Sequence, residues 1–117
     1  METTSAAALL AALAHPARLT VFRLLVQAGP EGLAAGEIAR RTATLPNTLS
    51  ANLSVLNHAG LVQTRREGRS VIYSAHYPAM TDLLTFLMED CCAGNAIICG
   101  PLAAIASQAC GAEGKAC

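Results

Sequence analysis

The sequence predicts a mainly helical chain carrying one small β-hairpin. Hydrophobic residues make up 53% of the 117 residues and aromatics only 3%, so alanine and leucine do most of the filling. That composition suits packed helices better than a sheet sandwich. Apolar residues also recur at intervals of three and four along successive stretches, and one later stretch reads as two strands about a Glu67-Gly68 turn. A chain this short supports one domain with much surface relative to core, so a helical example often completes its core by dimerising.

In chain order, Ala6 to Leu13 has helical composition and carries Leu9, Leu10 and Leu13 on one stripe. His15-Pro16 starts a second helix, because proline suits a first helical position. That helix runs to about Gln27 with Leu19, Phe22, Leu25 and Val26 inward, and Ala28-Gly29-Pro30 stops it. After the Pro30-Glu31-Gly32 turn, Ala34 to Thr42 reads as a short third helix, with Leu33 and Ile38 apolar. Leu45, Leu49, Leu53 and Leu56 then recur at intervals of four, four and three, one face of a fourth helix that Gly60 terminates. Leu61 to Ala75 supplies the two strands. Tyr77 to about Cys91 is the last helix, with Met80, Leu83, Leu84 and Leu87 apolar.

The formal charge is zero but unevenly spread. Arg40, Arg41, Arg65, Arg66 and Arg69 are five of the eight basic residues, and Glu67 is the only acid between Arg40 and His76. Two short helices joined by a tight turn, the second opening with small uncharged polar residues, form a helix-turn-helix pattern. Asn can bond adenine in a paired fashion, and Ser or Thr can reach bases or phosphates. A hairpin with three arginines near its tip, directly after such a helix, is a wing placed to touch phosphates. Together these predict a homodimeric winged helix-turn-helix. Arg40 and Arg41 are expected to contact phosphates as well, on the reading that no acid nearby competes for them.

No apolar run reaches the roughly 18 residues that span a bilayer, and the apolar Ala6 to Ala14 stretch lacks the basic lead of a signal peptide. A cytoplasmic protein without a membrane partner is expected. Thiols there stay reduced, which makes the five cysteines, Cys91, Cys92, Cys99, Cys110 and Cys117, candidates for a soft ligand rather than a disulfide framework. Helix, wing and dimer are placed in residues 1–92, and residues 93–117 form a cysteine-containing extension.

The order of these elements is similar to the ArsR/SmtB repressors. His15-Pro16-Ala17-Arg18-Leu19 matches their "HPxRL" start to the second helix. Ser50 to Val62 matches "S-x-x-L-x-x-L-x-x-x-G-L-V", and Arg66 to Tyr73 matches the wing pattern "R-x-G-R-x-x-x-Y". The resemblance covers roughly residues 6 to 90, and three ordered motifs are far more specific than one. It implies a homodimeric repressor that leaves operator DNA when a metal or metalloid binds. Carried over position by position, the DNA-reading residues are Asn47, Thr48, Ser50, Ala51, Asn52 and Ser54, and the wing residues are Arg65, Arg66 and Arg69. The third-helix thiols of many arsenic-responsive members are absent from Leu33 to Arg41, and so is the paired Asp and His pattern of zinc sensors on the last helix.

A tandem Cys-Cys just after the last helix resembles one arsenic-sensing variant of that family. Soft thiolates select soft ions, and trivalent arsenic takes three sulfurs in a pyramid. Adjacent residues on a helix point about 100° apart, so Cys91 and Cys92 need the Ala93-Gly94-Asn95 breaker to converge with Cys99. As(III), and with it Sb(III), is therefore the expected inducer at Cys91, Cys92 and Cys99, with no organic cofactor. Cadmium, lead or zinc sensing and a thiol metallochaperone that ignores DNA are the alternatives. A structural zinc site would want four ligands, usually in CxxC pairs, and none occurs. An enzyme is not expected: there is no Gly-rich phosphate loop, and a cysteine nucleophile needs a partner base.

Overall fold

A computed structural model of the protein describes residues 1–88. The elements run α1 (Thr3–Leu13), α2 (Pro16–Ala28), β1 (Leu33–Ala34), α3 (Ala35–Thr42), α4 (Pro46–His58), β2 (Val62–Glu67), β3 (Ser70–Ala75) and α5 (Tyr77–Met88). Met1–Leu83 form one compact unit and Leu84–Cys117 a second, of which only the end of α5 lies among the described residues. The candidate ligands Cys91, Cys92 and Cys99, and also Cys110 and Cys117, lie outside them.

The core of the first unit forms where α2, α3 and α4 meet the sheet. Val21 and Leu25 of α2, Ile38 of α3, Leu49, Leu53 and Leu56 of α4, and Leu61 are its most deeply buried side chains. Each such burial stabilises the fold by about 1.5–3 kcal/mol. Tyr77 at the start of α5 donates its hydroxyl to the Val26 carbonyl at 3.1 Å, tying that helix to α2.

Two leucines expected to face inward, Leu19 and Leu45, are instead exposed, and so is Leu10 of the stripe expected on α1. Leu10 is 42%, Leu19 43% and Leu45 74% accessible. In α1 the inward stripe is Ala6, Leu9 and Ala12; Leu10 lies about 100° round from Leu9. In α2 the inward set is Val21, Phe22 and Leu25, and Leu19 falls off that face. Leu45 precedes α4 as its N-cap, in extended backbone, so the helical periodicity does not reach it.

The hairpin is part of a three-stranded sheet, because Leu33 and Ala34 are extended and pair with Tyr73 and Ile72. The expected start of the third helix at Ala34 is therefore a strand end, and Ala34 serves as the helix's N-cap. A two-residue strand carries too little pattern to be read from sequence.

The "HPxRL" stretch has a mechanical reason. His15 caps α2, its Nδ1 accepting the Ala17 N–H at 3.2 Å, while Pro16 fills the first helical position. Arg18 reaches back to donate Nε to the Ala12 carbonyl at 2.6 Å, satisfying one of the last unpaired carbonyls of α1. α4 ends as the sequence predicts. Gly60 sits at φ +83°, its N–H bonds the Asn57 carbonyl at 3.0 Å, and the Leu61 N–H bonds the Leu56 carbonyl at 3.0 Å. This paired 5→2 and 6→1 closure brings Leu56 and Leu61, both fully buried, against the same core.

Candidate nucleic-acid interface

The turn between α3 and α4 is held by short polar side chains. Thr42 Oγ1 donates to the Ile38 carbonyl at 2.7 Å, Thr44 Oγ1 lies 2.9 Å from it, and Ala43 takes the left-handed conformation at φ +50° that ends α3. The chain thus reverses within three residues, and α4 starts beside the end of α3. Asn47, Thr48, Ser50, Ala51 and Ser54 are all exposed on α4, a small, polar, uncharged surface that fits a major groove.

Asn52 does not join them. It is 7% accessible and shares the inward face of α4 with Leu49, Leu53 and Leu56, as the three- and four-residue spacing from Leu49 and Leu56 requires. The expectation that it reads DNA is corrected accordingly. Its Nδ2 has no hydrogen-bond partner among the described residues, and an unsatisfied buried amide costs about 1–3 kcal/mol. Asn52→Leu should therefore raise the melting temperature and leave DNA affinity unchanged. A large loss of affinity, with the fold intact by circular dichroism, would return Asn52 to the reading surface.

Arg40 and Arg41 are not free of acidic competition. Glu37, one helical turn earlier, accepts from Arg40 Nε at 3.0 Å and Arg41 Nε at 2.9 Å, and it also pairs with Arg40 Nη2. The i,i+3 and i,i+4 spacing is readable in the sequence. The Arg40 bond first, then the Arg41 bond, holds the Glu37 carboxyl down at about 2 from an ordinary 4.5. A carboxylate with a depressed folded-state pKa stabilises above its unfolded value and loses that contribution as pH falls through the folded one. The clamp is therefore intact at neutral pH and is lost between about 4.5 and about 2. Glu37→Gln should flatten the acid limb of the stability curve in that window. At neutral pH it should strengthen salt-sensitive DNA binding by releasing two guanidinium groups; weaker binding would show that Glu37 organises them for contact.

The wing is divided in its roles. β2 and β3 pair from Val62↔Ala75 to Glu67↔Ser70. Arg65 is engaged twice: Nε donates to Glu67 Oε1 at 3.2 Å, and Nη2 donates to the Glu31 carbonyl at 2.8 Å, in the turn before β1. It braces the wing against that turn. Arg66 and Arg69 are exposed and make no hydrogen bond or ion pair among the described residues. The sequence alone presents the three arginines as equivalent, because it cannot show that Glu31 lies across from the hairpin.

Among the described residues no group of three or more His, Cys, Asp or Glu side chains could hold a metal ion, and no single helix there is long and apolar enough to cross a membrane.

Comparison with known proteins follows the same outline. Residues 13–65 match the helix-turn-helix domain family. The chain is 32% identical over 87 residues to the HTH-type transcriptional regulator YgaV of Escherichia coli, covering 74% of this chain and 86% of that protein. Among solved structures it is similar to HlyU from Vibrio cholerae, with a TM-score of 0.60 and 34% identity over 74% of this chain and 97% of that one. It is also similar to a homodimeric winged helix-turn-helix DNA-binding domain from Mycobacterium bovis, described as a possible ArsR-family regulator. There the TM-score is 0.59 and the identity 31%, over 74% of this chain and 81% of that one.

Proposed function

Because the chain belongs to the winged helix-turn-helix transcriptional regulators, we propose that it is an arsenic(III)-responsive repressor of the ArsR/SmtB kind. In this reading it binds operator DNA as a homodimer and leaves it when Cys91, Cys92 and Cys99 capture As(III) or Sb(III). The observation that carries the reading is where the thiols are. All five cysteines follow the regulator fold, starting three residues after the described end of α5, and α3 contains none. A sensor built on thiolates has no other place in this chain. Dimerisation is supported by the apolar side chains that α1 and α5 leave exposed, Leu10, Leu84 and Leu87.

Three thiolates against a triply charged centre leave no net charge, which favours trivalent arsenic over divalent ions at a three-sulfur site. Clamping them constrains the end of α5. If α5 is the dimerising helix, this changes the angle between the two reading helices and takes them out of register with successive major grooves. A differential affinity of about 1–3 kcal/mol between two dimer forms suffices.

Fluorescence anisotropy with promoter DNA tests the scheme directly. Arsenite should release the wild-type protein, whereas Cys99→Ser should stay bound at the same arsenite concentration. Full arsenite-induced release of Cys99→Ser would rule out the three-thiol site, and absence of salt-dependent DNA binding would favour a metallochaperone. A thiol-redox regulator is a second reading with an observation behind it, since another similar structure is described as reduced HlyU. Release by a mild oxidant, reversed by a dithiol and indifferent to arsenite, would identify it.

A further inference from the structure

One polar groove in the first unit lies off the reading helix and the wing. It opens between α2 and the end of α3, has a volume of about 210 Å³, and is lined by Thr20, Arg23, Leu24, Gln27, Arg41 and Thr42. Thr20, Arg23, Leu24 and Gln27 fall at helical spacing, so one side of α2 forms a whole wall. The opposite wall is the last two residues of α3, which lead through the Ala43–Leu45 turn into the exposed start of α4.

The charge in this groove is compensated only in part. Arg23 is exposed and has no hydrogen bond or ion pair among the described residues. Arg41 has Nε engaged with Glu37 at 2.9 Å, and no other contact to a carboxylate is made by its guanidinium among the described residues. Thr20 spends its hydroxyl proton on the Pro16 carbonyl at 2.9 Å, which leaves the Gln27 amide and the two guanidinium groups as the donors. Two guanidinium groups and an amide across a narrow cleft match a singly charged tetrahedral anion with several acceptor oxygens. In a helix-turn-helix the first helix crosses the sugar-phosphate backbone while the start of the second meets the bases. On that docking geometry, a strand of duplex passing the end of α3 would run beside this groove.

We infer that Arg23 and Arg41, with Gln27, hold a backbone phosphate of the bound duplex, extending the DNA footprint onto α2. This rests on the reading of the protein as a duplex-binding regulator. The site adds affinity and register without reading sequence.

The test measures binding of the full-length protein to a labelled random-sequence duplex and to promoter DNA, from about 50 to 200 mM salt. Each phosphate contact contributes about 0.9 to the slope of log affinity against log salt, so Arg23→Gln should lower that slope by about 1.8 in a dimer, equally on both DNAs. Arg23→Lys should restore most of it, which a purely structural role for the guanidinium would not allow. Thr3→Glu removes the same unit of net charge at the start of α1, outside the groove lining, and should leave the slope unchanged. Melting temperatures of all three variants should match wild type. An Arg23→Gln slope equal to wild type, or a Thr3→Glu slope lowered as much, overturns the phosphate site while leaving the duplex-binding reading in place. A wild-type protein with no salt-dependent affinity for either DNA overturns both.

Discussion

Gly32→Ala should be among the most damaging single substitutions outside the core, lowering stability by on the order of 3 kcal/mol and the melting temperature by roughly 10–20 °C. Two effects combine. Gly32 has φ +71°, a conformation that costs an L-residue about 1–2 kcal/mol. An added Cβ would also stand 2.2 Å from the Tyr73 carbonyl oxygen and 2.9 Å from its carbon, far inside contact distance. That carbonyl belongs to β3, and the residue after Gly32 pairs with Tyr73, so the collision can be relieved only by moving the β1–β3 pairing. The preceding residue, Glu31, supplies the carbonyl that braces Arg65. Displacement there would loosen the wing as well. Gly60→Ala is the better-matched control, because Gly60 has φ +83° in the left-handed end of α4 and an added Cβ there would meet nothing within 4 Å; it should cost only the conformational part. Equal losses for the two variants, measured by chemical denaturation, would mean that the close approach at Tyr73 carries no energy.

The second large effect is on DNA. Arg66→Ala with Arg69→Ala removes the two wing arginines that have no partner among the described residues, so a dimer loses four candidate phosphate contacts. The salt slope should fall by about 3.6, and about 100-fold of the affinity change between roughly 50 and 200 mM salt should disappear with it. Arg65→Ala should behave differently. Its guanidinium already bonds Glu67 and the Glu31 carbonyl, so its loss should lower the melting temperature more than the slope. If Arg65→Ala alone reduced the slope as much as the double variant, the division between a bracing and two contacting arginines would be wrong.

These contrasts separate what the linear sequence encodes from what it leaves open. The stops of α2 and α4, the turn before α4 and the hairpin are legible because each is encoded locally, by a proline at a helix start or a glycine at a forced backbone angle. The polar surface of α4 is legible too, apart from one residue. Asn52 is polar, and polarity alone points it outward; its position three residues from Leu49 and four from Leu56 puts it inside, which shows that spacing outranks residue type in assigning a helix face. Glu37 is legible by the same helical spacing, three and four residues before Arg40 and Arg41, and is passed over only when charge is counted within the basic stretch. Its charge falls outside the basic stretch, although a helix brings it within bonding distance of both arginines that begin that stretch.

By itself the sequence determined the class, the order of the helices, the wing and the run of cysteines after α5, because periodicity, caps and turn residues act over a few neighbours. Tertiary structure alone decided that Arg65 braces the turn at Glu31, that Leu33 and Ala34 close a third strand, that Gly32 must lack a side chain, and that α2 and α3 share a basic groove. All of these depend on groups distant in the chain meeting in space, Arg65 with Glu31 and Arg23 with Arg41, and no local pattern encodes such a meeting.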